Sequence, residues 1–176
     1  MGGYGDSNAW QKTNFTSSGF HGIFATPAFW NSTLYISAFN GPLVAFSLNP
    51  STADLTQLPS VSPETFAKFG PTPSVSSTPN NSNGIAWIID ATQFCTNGSA
   101  GCGPAVLHAY DATNLSSELW NSTQGSGNSA GNAVKFTVPT VANGKVYIGT
   151  RGNTTGGADS STSVPGELDV YGLLPN

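Results

Sequence analysis

The chain has 176 residues, of which 38% are hydrophobic and 8% are charged, and its formal net charge is −4. This hydrophobic content is enough for one ordinary core, while its five scattered basic residues form no patch that would bind nucleic acid. No apolar run approaches the roughly 20 residues that a membrane span requires. The composition therefore predicts a folded protein with neither a nucleic-acid partner nor a membrane span.

Glycine, proline and the spacing of apolar residues together predict an all-β fold. The chain contains 21 Gly and 12 Pro and has no long apolar stripe of helical period. Residues 1–20 form an N-terminal segment rich in Gly, Ser and Asn, with one strand predicted at 9–15. Helix is predicted only marginally, as one or two turns over 63–69.

A strand pattern occurs three times along the chain, and this repeat predicts three similar units. The prolines that open the three copies are Pro27, Pro73 and Pro139. The aromatic residues that share one slot are Tyr35, Trp87 and Tyr147, and those that share a second slot are Phe46, Tyr110 and Tyr171. The three units are predicted at 24–58, 70–123 and 136–173.

Each unit is predicted to be a short antiparallel meander, which buries its faces only by packing on its neighbours. An outer fourth strand is predicted at 118–121 in the second unit and, more weakly, at 54–58 in the first. The third unit offers no such strand, and an unpaired edge invites pairing with another strand. The strand predicted at 9–15 is one candidate for that position.

Cys95 and Cys102 bracket a loop of six residues and are predicted to form a local disulfide, which would pin this loop in an oxidising compartment. Zinc is not expected, because two cysteines without nearby histidines make a poor site. No metal site is predicted.

Residues 107–113 and the following Glu118-Leu119-Trp120 resemble the repeat of the pyrroloquinoline-quinone-like (quinoprotein-type) β-propellers. Blades of that family carry an Ala-x-Asp-x-x-Thr-Gly turn with a Trp a few residues later. Here Asn114 stands where Gly is usual, and the Trp is delayed. Residues 26–31 and 138–150 are also similar to this family. The resemblance covers roughly 20–174 and implies about three four-stranded antiparallel propeller blades, similar to the C-terminal blades of a larger secreted bacterial protein.

Propellers usually have four to eight blades. Three blades therefore imply either part of a larger propeller or a ring completed by oligomerisation, in which a homodimer would give six blades. Enzymes of the family use pyrroloquinoline quinone and calcium, but no residues here match their cofactor site, and adjacent cysteines do not occur. No cofactor is therefore expected for this chain alone. The resemblance and the low charge predict an extracellular or periplasmic location, with the export signal not present in this chain.

Ligands of propellers usually lie at one mouth of the central channel. The alignment predicts that six polar residues collect there, in the loops that precede the first strands and follow the second strands: His21, Asn40, Lys68, Asp90, Lys135 and Arg151. The functional interpretation is a sugar-like or anionic ligand held by this ring of side chains. The alternative is that loops simply carry polar residues.

Other candidate residues have a structural and a functional interpretation side by side. His108 and Asp169 share a slot on the third strands and are either an acid/base pair or strand residues in polar contacts. Trp30, Trp87 and Trp120 either stack on sugar rings or pack between sheets. Asp111 is predicted to bond to the backbone of its own turn. The carboxylates considered for glycoside cleavage are Asp90, Glu118, Glu167 and Asp169.

These patterns favour a binding or scaffold module that recognises an extracellular glycan, polymer or partner protein. The alternative is an enzyme whose site is completed by missing blades or by a second subunit. It would be either a quinone-dependent dehydrogenase of sugars or alcohols or a carboxylate-based hydrolase. No catalytic residue is assigned.

Overall fold

The computed structural model describes residues 10–13, 22–68, 70–94, 103–151 and 165–172. In these ranges the regular structure is entirely β-strand and is arranged in three antiparallel sheets. The predicted all-β class is confirmed. No helix in the described ranges has the length and apolar character needed to cross a membrane.

The first sheet is a meander whose strands follow each other in chain order. Its strands are β1 (Ala28–Trp30), β2 (Thr33–Ser37), β3 (Leu43–Leu48) and β4 (Leu55–Val61). The turn between β1 and β2 has φ of 47° at Asn31 and 57° at Ser32, and positive values at both central positions suit the twist of a tight hairpin. β4 confirms the outer strand that the sequence predicted at 54–58.

The second sheet repeats this order. Its strands are β5 (Ser74–Ser76), β6 (Ile85–Asp90), β7 (Val106–Asp111) and β8 (Asn114–Asn121). The outer strand predicted at 118–121 is confirmed and begins earlier, at Asn114. In the turn before it, Asp111 Oδ1 accepts hydrogen bonds from the Thr113 hydroxyl and amide at 2.6 and 2.8 Å, which lower the pKa of Asp111. The predicted turn role of Asp111 is thus confirmed.

The third sheet has three strands among the described residues: β9 (Thr140–Ala142), β10 (Lys145–Arg151) and β11 (Gly166–Tyr171). β10 lies in the middle, so β11 is an edge strand in this part of the chain. A fourth strand, which the four-stranded blade pattern would require, is absent from the described part of this unit.

Strand registers agree with the predicted alignment of the three units. In each sheet the aromatic residue of the first slot lies opposite the residue that follows the proline: Tyr35 opposite Ala28, Trp87 opposite Ser74, and Tyr147 opposite Thr140. The first strands of successive sheets are neighbours, since β1 lies beside β5 and β5 beside β9. This side-by-side arrangement is compatible with consecutive blades, although none of the sheets closes on itself within the described ranges.

The second sheet contributes to two separate cores. The core shared with the first sheet contains Tyr35, Leu43, Ala45, Phe66, Ala86, Ile88, Tyr110, Ala112 and Leu115. The core shared with the third sheet contains Ile89, Ala91, Ala105, Leu107, Ala130, Ala133, Val146 and Ile148. Successive side chains of a strand point to opposite faces, so β6 sends Ile88 to one core and Ile89 to the other.

The marginal helix predicted over 63–69 is wrong for its described residues. Phe66 instead forms an antiparallel bridge with Gly41, and its amide donates to the Gly41 carbonyl at 3.0 Å. The Phe66 side chain is fully buried between the first and second sheets. Tertiary burial of one aromatic ring therefore outweighs the weak local preference for helix.

The described part of the predicted N-terminal strand, Trp10 to Thr13, has no strand assignment. It lies beside β4 of the first sheet instead of the edge of the third. The Gln11 side chain donates to the Leu55 carbonyl at 2.9 Å and accepts from the Leu55 amide at 2.7 Å. One amide side chain thus satisfies both backbone groups of an edge residue. The other residues of the predicted strand, Ala9, Asn14 and Phe15, lie outside the described residues.

Gly84 lies against the ring of Trp30, across the junction of the first two sheets. A Cβ atom at position 84 would come within 2.6 Å of Trp30 Cη2, and this ring packs on the first core. We expect Gly84→Ala to lower the free energy of unfolding by about 1–3 kcal/mol, because the ring must shift within a packed core. Urea unfolding measures this change. Gly149→Ala is the control, since its Cβ would meet only Thr137 at 3.7 Å, and equal losses in both variants would contradict the prediction.

Tyr35 links the first sheet to the second through its hydroxyl, which donates to the Ala112 carbonyl at 2.8 Å. Burial raises the pKa of Tyr35 to about 12, above the value of about 10 in an unfolded chain. The folded state then holds the proton more tightly, so this contribution to stability is complete below pH 10 and is lost as pH rises towards 12.

Tyr35→Phe should therefore lose about 1 kcal/mol near neutral pH, where the hydrogen bond is removed. It should also show a shallower loss of stability than the parent chain between pH 10 and 12. Urea unfolding across this range measures both effects. A variant whose alkaline decline equals that of the parent would show that Tyr35 does not titrate with unfolding.

Candidate functional site

Two of the six residues predicted at the channel mouth, Lys68 and Lys135, meet at Phe94. Lys68 Nζ donates to the Phe94 carbonyl at 3.2 Å, and Lys135 Nζ lies 4.6 Å from the centroid of the Phe94 ring. Both lysines line a cavity of about 20 Å³, which has room for about one water molecule. Two of the six predicted residues thus lie close together here, but this cavity is too small for a sugar.

Asn40 and Asp90, two further residues of the predicted mouth, both make structural hydrogen bonds. Asn40 has φ of 59°, and its amide donates to the Phe66 carbonyl at 2.9 Å. Asp90 Oδ1 accepts a hydrogen bond of 2.7 Å from the Thr92 amide. The Asp90 contact is that of an ordinary turn residue, whereas the Asn40 amide joins its turn to the connection that contains Phe66.

Arg151, at the end of β10, exchanges two backbone hydrogen bonds of 2.7 and 2.9 Å with Asn132. His21, the sixth residue of the predicted mouth, lies outside the described residues. Cys95 and Cys102 also lie outside them, as does the predicted disulfide.

A cleft of about 850 Å³ lies between the second and third sheets, at the opposite end of these sheets from the predicted mouth. Three aromatic side chains line it: Trp87 on β6, Trp120 on β8 and Tyr171 on β11. The Trp120 and Tyr171 rings meet edge to face, with centroids 5.5 Å apart and planes at 61°. All three side chains are half-buried, so each joins the packing between sheets and also reaches the cleft.

Hydrogen bonds fix the polar atoms of these aromatic residues. Trp87 Nε1 donates to Ser76 Oγ at 2.8 Å, and the Tyr171 hydroxyl donates to the Asn128 carbonyl at 3.1 Å. Burial raises the pKa of Tyr171, so its hydroxyl keeps its proton. Ser77 also lines the cleft, as does Asn128, whose side-chain amide donates to the Gln124 carbonyl at 2.6 Å. The cleft therefore combines oriented aromatic rings with neutral donors and acceptors.

A second group of interacting side chains surrounds His108, on the face of the second sheet that meets the first. His108 Nδ1 lies 2.6 Å from Glu118 Oε1, and the Asn121 amide donates to both Glu118 oxygens at 3.1 Å. The Tyr110 hydroxyl donates to a carboxylate oxygen of Glu64, which follows β4. We call Glu64, His108, Tyr110 and Glu118 the His108 cluster.

Alternation along β7 explains why the His108 cluster forms. His108 and Tyr110 are two residues apart, so both side chains face the first sheet, and their rings lie parallel with centroids 5.8 Å apart. The Phe66 and His108 rings meet edge to face, with centroids 5.9 Å apart and planes at 77°. Burial raises the pKa of Tyr110, and the hydrogen bond to Glu64 raises it further.

Asp169 occupies the same slot of the third sheet but has different neighbours. Its Oδ2 accepts hydrogen bonds from Thr150 Oγ1 at 2.7 Å and from the Gly131 amide at 3.1 Å. The structure therefore does not bring His108 and Asp169 together as an acid/base pair. Glu118 and Asp169, two of the carboxylates considered for glycoside cleavage, likewise lie on different sheets with separate partners.

Sequence reasoning missed Glu64, Tyr171 and Asn128 as candidate site residues. Glu64 lies in a connection that belongs to no repeated strand, so the repeat gave it no aligned position. The two-residue spacing of His108 and Tyr110 does predict a shared face, but it does not identify which carboxylate will meet that face.

No protein-family model matches this chain, and neither a curated protein nor a solved structure matches it. The resemblance to quinoprotein-type propellers therefore stays a prediction. Any functional conclusion has to come from the geometry of the cleft and of the His108 cluster.

Proposed function

We propose that the chain is an extracellular binding module that holds a glycan in the cleft between the second and third sheets. The observation that carries this proposal is a cleft of about 850 Å³ lined by Trp87, Trp120 and Tyr171. This volume falls in the range of small-molecule sites, which are mostly apolar with a few placed polar groups.

The chemistry of the lining suits a neutral sugar. A pyranose ring presents a face of C–H groups that packs on an aromatic ring, while its hydroxyl groups require donors and acceptors. Ser76 and Ser77, which line the cleft, bring hydroxyl groups to it. The hydrogen bonds of Trp87 and Tyr171 hold their rings in place before a ligand arrives, which lowers the entropic cost of binding.

Binding is favoured over hydrolysis because the described residues that line the cleft include no carboxylate. Glycoside cleavage usually needs a pair of Asp or Glu side chains at the bound sugar. The cleft is also favoured over the predicted mouth, where Lys68 and Lys135 enclose room for about one water molecule.

A homodimer that closes a six-bladed ring also remains a proposal, together with the quinoprotein-like propeller arrangement. It is supported by the outer face of the third sheet, where Leu168 and Val170 are 65% and 49% exposed. Alternation places Tyr147, which pairs with Val170, on the same face. The corresponding face of the first sheet packs on the second sheet, and that of the second sheet packs on the third. By analogy, a second copy of the chain would cover the apolar outer face of the third sheet.

Trp120→Ala should weaken glycan binding at least about tenfold, which corresponds to about 1.4 kcal/mol, because it removes one aromatic face of the cleft. The measurement is affinity electrophoresis with soluble neutral polysaccharides, namely a β-glucan, a xylan and a galactomannan. Ser77→Ala, a change at an exposed position, tests the same cleft without disturbing its aromatic packing and should weaken binding less.

Trp10→Ala is the matched control, because Trp10 is 77% exposed and does not line the cleft. Its mobility on each polysaccharide should equal that of the parent chain. Unretarded migration of the parent on all three polysaccharides, or equal losses in the Trp10 and Trp120 variants, would reject the cleft as a neutral-glycan site.

Light scattering after size exclusion tests the dimer. The parent chain should elute at twice the mass of one chain, and the double variant Leu168→Ser/Val170→Ser should elute as a monomer, since it removes apolar contacts from the outer face. Leu119→Ser is the control, because Leu119 is 51% exposed on the outer strand β8. A monomeric parent would contradict the proposal.

A further inference from the structure

The His108 cluster brings together three side chains that bind metal ions in many proteins. One ligand atom each from Glu64, His108 and Glu118 lies within 4.8 Å of the others. Tetrahedral coordination with metal–ligand bonds of roughly 2.0–2.2 Å places two ligands of the same ion about 3.3–3.6 Å apart. Side-chain rotations that bring the three separations into this range would place all three atoms on one ion.

These ligands come from separate segments that the fold holds in place. Glu64 follows β4 of the first sheet, whereas His108 and Glu118 lie on the paired strands β7 and β8 of the second. The His108 side chain is 7% exposed and that of Glu118 is 20% exposed, which leaves an approach from the Glu118 side. Fixed and largely buried donors with one open approach are typical of protein metal sites.

Each carboxylate of the cluster also has a neutral donor that orients it. The Tyr110 hydroxyl donates to Glu64, and the Asn121 amide donates to Glu118. Asn121 is oriented in turn, since its Oδ1 accepts from the Thr123 hydroxyl at 2.6 Å and from the Thr123 amide at 3.0 Å. Ligating carboxylates are commonly held by such outer hydrogen bonds.

Charge favours a cation at this place. The carboxylates of Glu64 and Glu118 lie close to one imidazole in a largely buried space. The hydrogen-bond partners described above for these two carboxylates are His108 and the neutral donors Tyr110 and Asn121. Removing carboxylates from water is costly unless a positive charge lies close to them. A divalent ion would supply that charge.

We infer that Glu64, His108 and Glu118 form a binding site for a divalent transition-metal ion, with Zn²⁺ favoured. The imidazole nitrogen favours zinc over calcium or magnesium, which prefer oxygen ligands. Binding at His108 Nδ1 displaces the proton between this nitrogen and Glu118, and in a neutral imidazole this proton moves to Nε2, so that the ring stays neutral while Nδ1 binds the ion. The site lies on the opposite face of the second sheet from the cleft, so it is independent of the proposed glycan binding.

Isothermal titration of ZnCl₂ into the full chain, after removal of metals with a chelator, tests this inference. We expect one Zn²⁺ per chain at this site and a loss of affinity of more than about tenfold in His108→Gln and in Glu118→Gln. CaCl₂ should produce much weaker binding. The chain contains two histidines, so His21→Gln is the matched control and should keep the affinity of the parent. A Cys95→Ser/Cys102→Ser background removes binding to thiols.

Nuclear magnetic resonance of the histidine ring nitrogens provides a second measurement. It uses the parent chain, so it does not require that a variant of a metal-ligand residue folds. Zinc should shift the ring signals of His108 in the parent chain and leave those of His21 in place. Tyr110→Phe, which keeps the ring and removes the donor to Glu64, should weaken zinc binding by about 10–100-fold. Absence of zinc binding by the parent, or His108 signals that stay unchanged at saturating zinc, would overturn the inference.

Discussion

Burial of the second sheet on both faces is the constraint on which the rest of the structure depends. Its strand β6 directs Ile88 towards the first sheet and Ile89 towards the third, so both faces require a partner. Strands of sheets that are covered on both faces have nearly continuous apolar sequences. The sequence of β6, Ile-Ala-Trp-Ile-Ile-Asp, follows this pattern. The same alternation separates the cleft from the His108 cluster, because it directs His108 to one face and Trp87 to the other.

Most polar groups at the two junctions between neighbouring sheets are hydrogen-bonded, and these bonds favour one arrangement of the sheets over others. Tyr35 bonds to the Ala112 carbonyl across the first junction, and Tyr171 bonds to the Asn128 carbonyl at the second. Trp30 Nε1 and Ser74 Oγ are exceptions, since both are buried without a hydrogen-bond partner in the described part of the chain. An unpaired buried donor costs about 1–3 kcal/mol, so packing of the Trp30 ring has to offset this loss.

The all-β class and the three antiparallel sheets were predictable from the sequence, because the repeat carries positional information. Alignment on the prolines correctly placed Tyr35, Trp87 and Tyr147 at equivalent strand positions. The sites were less predictable, because they join residues from different units. Glu64 reaches Tyr110 from a connection outside the repeat, and no local pattern indicates that contact. The loop residues of the predicted mouth were assigned by analogy with propellers. Among them, the Asp90 side chain bonds to its own turn, and Lys68 and Lys135 line a cavity with room for about one water molecule.

Each sheet is built from strands that are consecutive in sequence, and this has a consequence for folding during synthesis. Contacts between neighbouring strands close short loops, so a sheet can form soon after its residues leave the ribosome. The second sheet can then pack on the first, but its other face, with Trp87 and Ile89, has no cover until the third unit is made. We expect this apolar face to be the part of a nascent chain that a chaperone recognises.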